Sequence, residues 1–434
     1  MLILTHFNNK YLKFFKENNL LKVLSVNSLS VGTTFVLGFI SNKMVAVFLG
    51  PSGMAILGNF RNLGAMLKSV ATLGISTSLV KLVAENKENK KALSELYATF
   101  LSVFFIISSL LAIGVFCFAE AIGQLLFHSN QWTTPIRIVG LSLPLVLLNT
   151  FWLAIYNGLE QFKTIVLVQL VSSVLVFLVT ISLIYFHSIS GAVWAIALSE
   201  LLMVFATLVF VIKDKRLFQF RFRFLVKKEY VTAIQKFSAM ALLTAIIAPL
   251  TLLLIRNAIT VNYSLVEAGF WEATTKLSSF YMLFFTSGLS LYYMPKLASL
   301  STEDAFKQEV KVYFSSFVPL FLVMLLVLFF AKEWILKWVF TPEFLKLQSV
   351  LIWQFLGDFF KILTLAFGYQ ILVKARLKVY FFLEITFNLS YLLLSLYSIK
   401  TRGYEGAIQA YCCASALGFV LVLLVFRKLF LPKS

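Results

Sequence analysis

The sequence has little of what chemistry in water requires. Of 434 residues, three are cysteine and three histidine, and 13% are charged. Cys117, Cys412 and Cys413 all fall in apolar runs without CxxC spacing, and adjacent Cys412 and Cys413 do not bridge easily. A disulfide framework is therefore excluded, and the thiols read as small apolar side chains. His6, His128 and His187 are scattered, so neither a metal site nor a cofactor is expected. Acidic residues are scarce too: 19 Asp and Glu face 38 Lys and Arg, for a net charge of +19. Long polar stretches between apolar runs are nearly absent, and no nucleophile–base constellation is visible. Together these shortages speak against an enzyme, such as a polysaccharide polymerase or ligase, which needs a sizeable loop to hold its catalytic groups.

What is present is hydrocarbon. The chain is 60% hydrophobic, with 46 phenylalanines and a mean hydropathy of +0.89. Soluble domains are nearer half apolar and a quarter charged, so this is an integral membrane protein. A strongly basic chain invites a nucleic-acid reading, but the basic residues cluster in short loops between apolar runs. That is the pattern of cytoplasmic loops in a membrane protein, and nucleic acid is excluded as a partner.

A membrane span needs about 20 apolar residues. Twelve stretches qualify, at about 23–49, 54–80, 93–117, 135–157, 163–186, 190–212, 232–256, 267–293, 310–331, 349–373, 378–399 and 404–426. The third and fourth are separated by the longest external stretch, about 118–134. Even-numbered connections and both tails carry most of the Lys and Arg, among them Lys87, Lys163, Lys215, Arg216, Lys296, Lys307, Lys374 and Arg376. Both termini are therefore expected in the cytoplasm. The fold class expected is an all-α polytopic membrane protein. Its twelve transmembrane helices form two six-helix lobes related by a pseudo-two-fold axis along the membrane normal, because six spans per half is an even number. The boundaries are 1–22 for a cytoplasmic tail, 23–212 for the N-lobe, 213–231 for a basic linker, 232–426 for the C-lobe and 427–434 for a second cytoplasmic tail. In the linker Phe218, Phe220, Phe222 and Phe224 alternate with Gln219, Arg221 and Arg223, which suits a loop resting on anionic headgroups. Weak internal similarity sets Gly53 to Lys81 beside Gly269 to Lys296.

Several spans carry charge where lipid penalises it by roughly 2.5–3.5 kcal/mol or more. The second holds Arg61 and Lys68 in a stripe with Gly58, Ala65 and Thr72 at helical spacing. The eighth holds Glu272 and Lys276, an i,i+4 pair, and the tenth holds Asp358 and Lys361, an i,i+3 pair. Lys43 and Arg256 lie near the external ends of the first and seventh spans. Lys43, Arg61, Lys68 and Arg256 have no acidic partner nearby in sequence, so a bound anion is the favoured account of them. Lys43 and Arg256 have the alternative of snorkelling to outer headgroups. Glu200 and Glu384 read as hydrogen-bonded acids ahead of proton carriers. Trp271 and Trp353 offer platforms for sugar rings, with interfacial anchoring the default for Trp. Gly50-Pro51-Ser52-Gly53 is a turn and not a phosphate loop, since no strand precedes it and no Lys follows.

The stretches GPSGMAILGNFRNL (50–63), FWEATTKLSSFY (270–281), LYYMPKLASL (291–300), WQFLGDFFKILTLAFGYQILVKARLKVYFFLE (353–384) and GYEGAIQAY (403–411) resemble the Wzx-type lipid-linked oligosaccharide flippases. These belong to the multidrug/oligosaccharidyl-lipid/polysaccharide exporter superfamily, and the resemblance extends over essentially the whole chain. It implies a non-enzymatic protein of the bacterial inner membrane. The implied cargo is undecaprenyl diphosphate carrying an oligosaccharide such as an O-antigen unit, moved from the cytoplasmic to the periplasmic leaflet by alternating access. It also implies membrane lipids, and the polymerase and chain-length regulator of a glycan pathway, as partners. Asn59, Arg61, Asn62, Trp271, Lys276, Asp358 and Lys361 carry over as substrate-site residues. Lys43, Lys68 and Arg256 join them on charge alone. The chain departs from the pattern of the flippases it resembles after Trp271, where Glu272 and Lys276 make the stretch more charged. The competing expectation is a multidrug exporter of the same superfamily, whose cavity for cationic drugs should hold unpaired Asp or Glu.

Overall fold

The computed structural model describes residues 19–72, 75–214, 224–300 and 302–427. The expected tails, apart from a few residues, and the Phe/Arg core of the linker lie outside the described residues. Among the described residues every regular element is helical. Among the same residues, eight helices are long and apolar enough to cross a membrane.

Three of these helices are too long to be single spans. α1 (Asn19–Thr72) has 54 residues, and at 1.5 Å per residue it would reach about 80 Å across a hydrocarbon layer of about 30 Å. It is broken at Gly50, whose φ of 60° and ψ of −165° lie in a region essentially reserved for glycine. Pro51 then starts the second half, where its missing N–H costs nothing. The 52-residue helix over Phe162–Lys213 is broken in the same way at Ser188, and the 49-residue helix over Leu377–Val425 at Gly403.

Between these run α2 (Ile75–Glu85), α3 (Lys90–Cys117), α4 (Ala119–Phe127) and α5 (Thr133–Gly158), with Phe162–Lys213 as α6. The stretch expected between the third and fourth spans, 118–134, contains α4 followed by a 3₁₀ turn over Asn130–Trp132. Further on come α7 (Lys228–Asn262), α8 (Leu265–Gly288), α9 (Met294–Ser299), α10 (Glu303–Val312), α11 (Val318–Phe330), α12 (Lys332–Val339) and α13 (Leu351–Val373). Leu377–Val425 is α14. α8 begins after Ser264, whose hydroxyl accepts from the Glu267 N–H as an N-cap.

The chain divides into two compact units. The first comprises residues 1–41, 67–120 and 132–238; the second comprises 42–66, 121–131 and 239–434. In the first, α2, α3, α5 and α6 bury Phe100, Phe104, Leu147, Phe151 and Tyr156 against one another. The far end of the linker is tied down within this unit. The Leu225 and Lys227 amides donate to Ser102 Oγ and Thr99 Oγ1 at 3.2 and 3.3 Å, and the Lys227 ammonium pairs with Glu95. In the second unit α8, α13 and α14 pack around Phe270, Trp271, Phe285, Phe321 and Phe367. Large apolar side chains also point outward, Phe330 being 82% exposed. Exposed apolar belts are expected where lipid is the solvent.

Candidate functional site

The second unit concentrates charge inside its helices. Arg256, on α7, is only 1% exposed. Its Nη1 donates to Asn59 Oδ1 at 2.8 Å and its Nη2 pairs with Glu272 of α8. With the Asn62 amide turned so that its oxygen faces the guanidinium, Asn62 accepts from Nη2 and Nη1 at 3.1 and 3.2 Å. Asn59 is itself fixed by donating to the Leu126 carbonyl at 2.7 Å. Beneath this set the Trp271 ring lies 5.2 Å from the Arg256 guanidinium carbon, in cation–π contact.

Two glycines admit this arrangement. A Cβ at Gly58 would sit 2.6 Å from Glu272 Cδ and 2.8 Å from Arg256 Nη2. A Cβ at Gly269 would run into the Pro51 backbone, so α8 and the second half of α1 meet through that glycine. The sequence stripe containing Gly58 is thus a groove for an ion pair.

Positive charge is left over. Arg61, one turn beyond Gly58, has its Nη1 buried and without a hydrogen-bond partner. Glu272, its attractive neighbour, is already bonded to Arg256. Lys276 lies close enough to repel Arg61, and its ammonium rests 5.7 Å from the centre of the Phe280 ring. Three cations therefore share one carboxylate inside the protein.

Several expected pairings are corrected. Glu272 does not pair with Lys276 one turn away; it reaches Arg256 on the neighbouring helix. Arg256 is neither unpaired nor snorkelling. Lys68 is not a free cation either, since within the first unit it bonds both oxygens of Glu200 at 2.9 Å. Lys43 gives its protons to the Lys337 carbonyl at 3.0 Å and to the Phe340 carbonyl, at the C-terminal end of α12. A cation there satisfies orphan carbonyls and the negative end of the helix. Trp271, 1% exposed, has no face free for a sugar, while Trp353 at the start of α13 is exposed. Glu384 accepts from Asn388 at 3.2 Å, as expected of a hydrogen-bonded acid.

The Asp358–Lys361 pair is also absent. Asp358 is 0% exposed and Lys361 lies on the exposed side of α13. The carboxylate accepts instead from Ser278 and Tyr411 at 2.7 Å each, from Tyr281, and from Gln354 at 3.3 Å. Helix α14 comes close enough because Gly357 has no side chain; a Cβ there would lie 2.6 Å from the Tyr411 ring. Local spacing could not reveal this cage, since its members come from α8, α13 and α14. Its trace in the sequence is that Ser278, Tyr281, Asp358 and Tyr411 all fall within stretches that carry the family resemblance.

By architecture, then, the chain is an all-helical, multi-pass membrane protein with ionised groups buried between its helices. The profile of the polysaccharide biosynthesis protein family matches residues 20–292, and the chain belongs to that family. The lipid III flippase of Escherichia coli (strain K12) is 25% identical over 403 residues, covering 90% of this chain and 95% of that protein. Among solved structures, the lipid II flippase MurJ in an inward closed conformation aligns with a TM-score of 0.73. It is 17% identical, over 92% of this chain and 87% of that one. An inward-facing multidrug resistance MATE transporter of the MOP superfamily aligns with a TM-score of 0.72. It is 13% identical, over 93% and 96% of the two chains. The Wzx-type resemblance read from the motifs agrees with these relatives.

Proposed function

We propose that this protein is a flippase for a polyprenyl-diphosphate-linked oligosaccharide, an O-antigen unit or related surface glycan. It would carry its cargo from the cytoplasmic to the periplasmic leaflet of the bacterial inner membrane. The observation that carries the reading is the buried, unpartnered Nη1 of Arg61 beside Lys276, with Glu272 already committed to Arg256. Unpaired cations inside a membrane are costly. A diphosphate is a compact anion that matches this deficit and gives a guanidinium its favoured acceptors. In the proposed site Arg61 and Lys276 bind phosphate, while Asn59, Asn62, Trp271 and Glu272 hold Arg256 in place. The lipid III flippase relative supports this substrate class. The multidrug-exporter alternative is supported by the MATE likeness in fold alone, and a cationic drug would meet repulsion at Arg61 and Lys276.

The twelve-span count, the two parallel lobes and the cytoplasmic termini belong to the same proposal. Breaks at Gly50, Ser188 and Gly403 support it by turning three long helices into pairs of spans. Lobe motion about a midplane site would then give alternating access. The direct test is deletion of the gene. The expected outcome is a lipid-linked oligosaccharide that accumulates on the cytoplasmic leaflet, with loss of the corresponding surface glycan. Unchanged surface glycan with no accumulation would refute the reading.

A further inference from the structure

Apart from the cationic cluster, the second unit has a groove of about 870 Å³ at the junction of α10, the turn that follows it, α13 and α14. Its floor is hydrocarbon: Phe314, Phe367, Phe419 and Leu423. Its rim is the polar helix α10, where exposed Lys307 and Lys311 stand one turn apart with Asp304 beside them. Further basic groups lie close by. The Lys374 ammonium bonds the Leu300 carbonyl at 2.9 Å, and the Arg376 guanidinium sits 5.8 Å from the centre of the Phe426 ring, itself packed on Phe367.

The groove is opened by an irregular backbone. Between α10 and α11 the helix widens into a π turn over Tyr313–Phe317, which carries Phe314. Such turns are rare and concentrate at functional sites. This one is held by the Tyr313 hydroxyl, which donates to the Ile362 carbonyl of α13 at 2.9 Å.

A cationic rim above an aromatic and aliphatic floor, at the polar end of a membrane span, matches a molecule with an anionic head and an apolar tail. We infer that this groove is a binding site for an anionic diacyl phospholipid of the phosphatidylglycerol type. Lys307 and Lys311 hold the headgroup phosphate, and one acyl chain lies along Phe314, Phe419 and Leu423. A bulk lipid annulus would need no paired lysines and no widened turn. The site is separate from the Arg61 cluster and does not depend on what that cluster transports.

Native mass spectrometry of the full chain, released from mild detergent after incubation with phosphatidylglycerol or phosphatidylethanolamine, tests this. The wild type should retain phosphatidylglycerol preferentially. Lys307→Gln with Lys311→Gln should lower that retention about thirtyfold, on the scale of two lysines near an anionic surface. Leu423→Trp, which fills the floor while leaving the rim intact, should lower it as well. Lys400→Gln, an exposed lysine elsewhere on α14, should retain the lipid fully. Both rim lysines are exposed, so their variant tests the site even where the tryptophan variant folds poorly. Equal retention of the two lipids, or undiminished retention in the lysine variant, would overturn the proposal. So would displacement of phosphatidylglycerol by undecaprenyl phosphate in a lysine-dependent manner, which would make the groove a berth for the transported chain.

Discussion

Arg61 and Arg256 are both cations within the same set of helices, yet their surroundings set them different tasks. Arg256 has both terminal nitrogens engaged by Asn59, Asn62 and Glu272 and lies over an indole, so that only its buried Nε is left unbonded. Arg61 keeps a free donor. Arg61→Ala and Lys276→Ala should therefore each abolish glycan export while the protein stays in the membrane at near wild-type level. Arg61→Lys should keep part of the activity, limited by the loss of two-pronged phosphate contact. Surface-glycan staining against an immunoblot of membranes reads both quantities. Glu272→Gln should behave differently, because it strands Arg256 in a buried site and destabilises the protein by about 3–5 kcal/mol. Loss of the protein itself, measured by its thermal unfolding in detergent, is the expected signature. Asp358 offers a third contrast. Asp358→Asn leaves hydroxyl donors without a matching acceptor and should cost about 1–3 kcal/mol, whereas exposed Lys361→Gln should leave the unfolding temperature unchanged. Equal destabilisation by both would restore the Asp358–Lys361 pair.

At the scale of elements, the helical, membrane-spanning class was legible in the sequence, because an apolar run of about 20 residues is a local property; the count of twelve remains part of the proposal. The partners of the charged residues were not legible for the opposite reason. An i,i+4 rule finds neighbours on one helix, and Glu272, Lys68 and Asp358 each bond across to another helix, where geometry depends on which glycines let helices approach. The helix breaks fall between these extremes. GPSG at 50–53 is readable as a turn, but SISG at 188–191 and GYEG at 403–406 gain meaning only beside it. In each, the first residue takes the positive φ. In the latter two, the glycine three residues on has no room for a Cβ, which would strike the carbonyl of Leu183 or Ser398, in both cases eight residues back. A serine at 188 adopts this conformation at a cost of about 1–3 kcal/mol. Ser188→Gly should accordingly raise the unfolding temperature, and Gly403→Ala should lower it. A fall in stability for Ser188→Gly would show that the strain is illusory.

For the molecule as a whole, the matching breaks at Ser188 and Gly403 recur 215 positions apart, about half the chain of 434 residues. That spacing suits two halves of equal span number running in the same direction. The same arrangement requires the breaks, and the α4 segment, to lie on one side of the membrane and the basic connections on the other. Single cysteines test this in a chain whose Cys117, Cys412 and Cys413 are replaced by alanine. A cysteine at Ser129, between α4 and the turn that follows, should react with an impermeant thiol reagent added to whole cells. A cysteine at exposed Glu88, in the turn between α2 and α3, should react only after the membrane is opened; Glu88 is preferred to Asn89, whose side chain caps α3. The reverse pattern would invert the topology. Inversion would also place the lysines of α10 on the periplasmic side and leave Arg61 to receive its anion from the wrong leaflet.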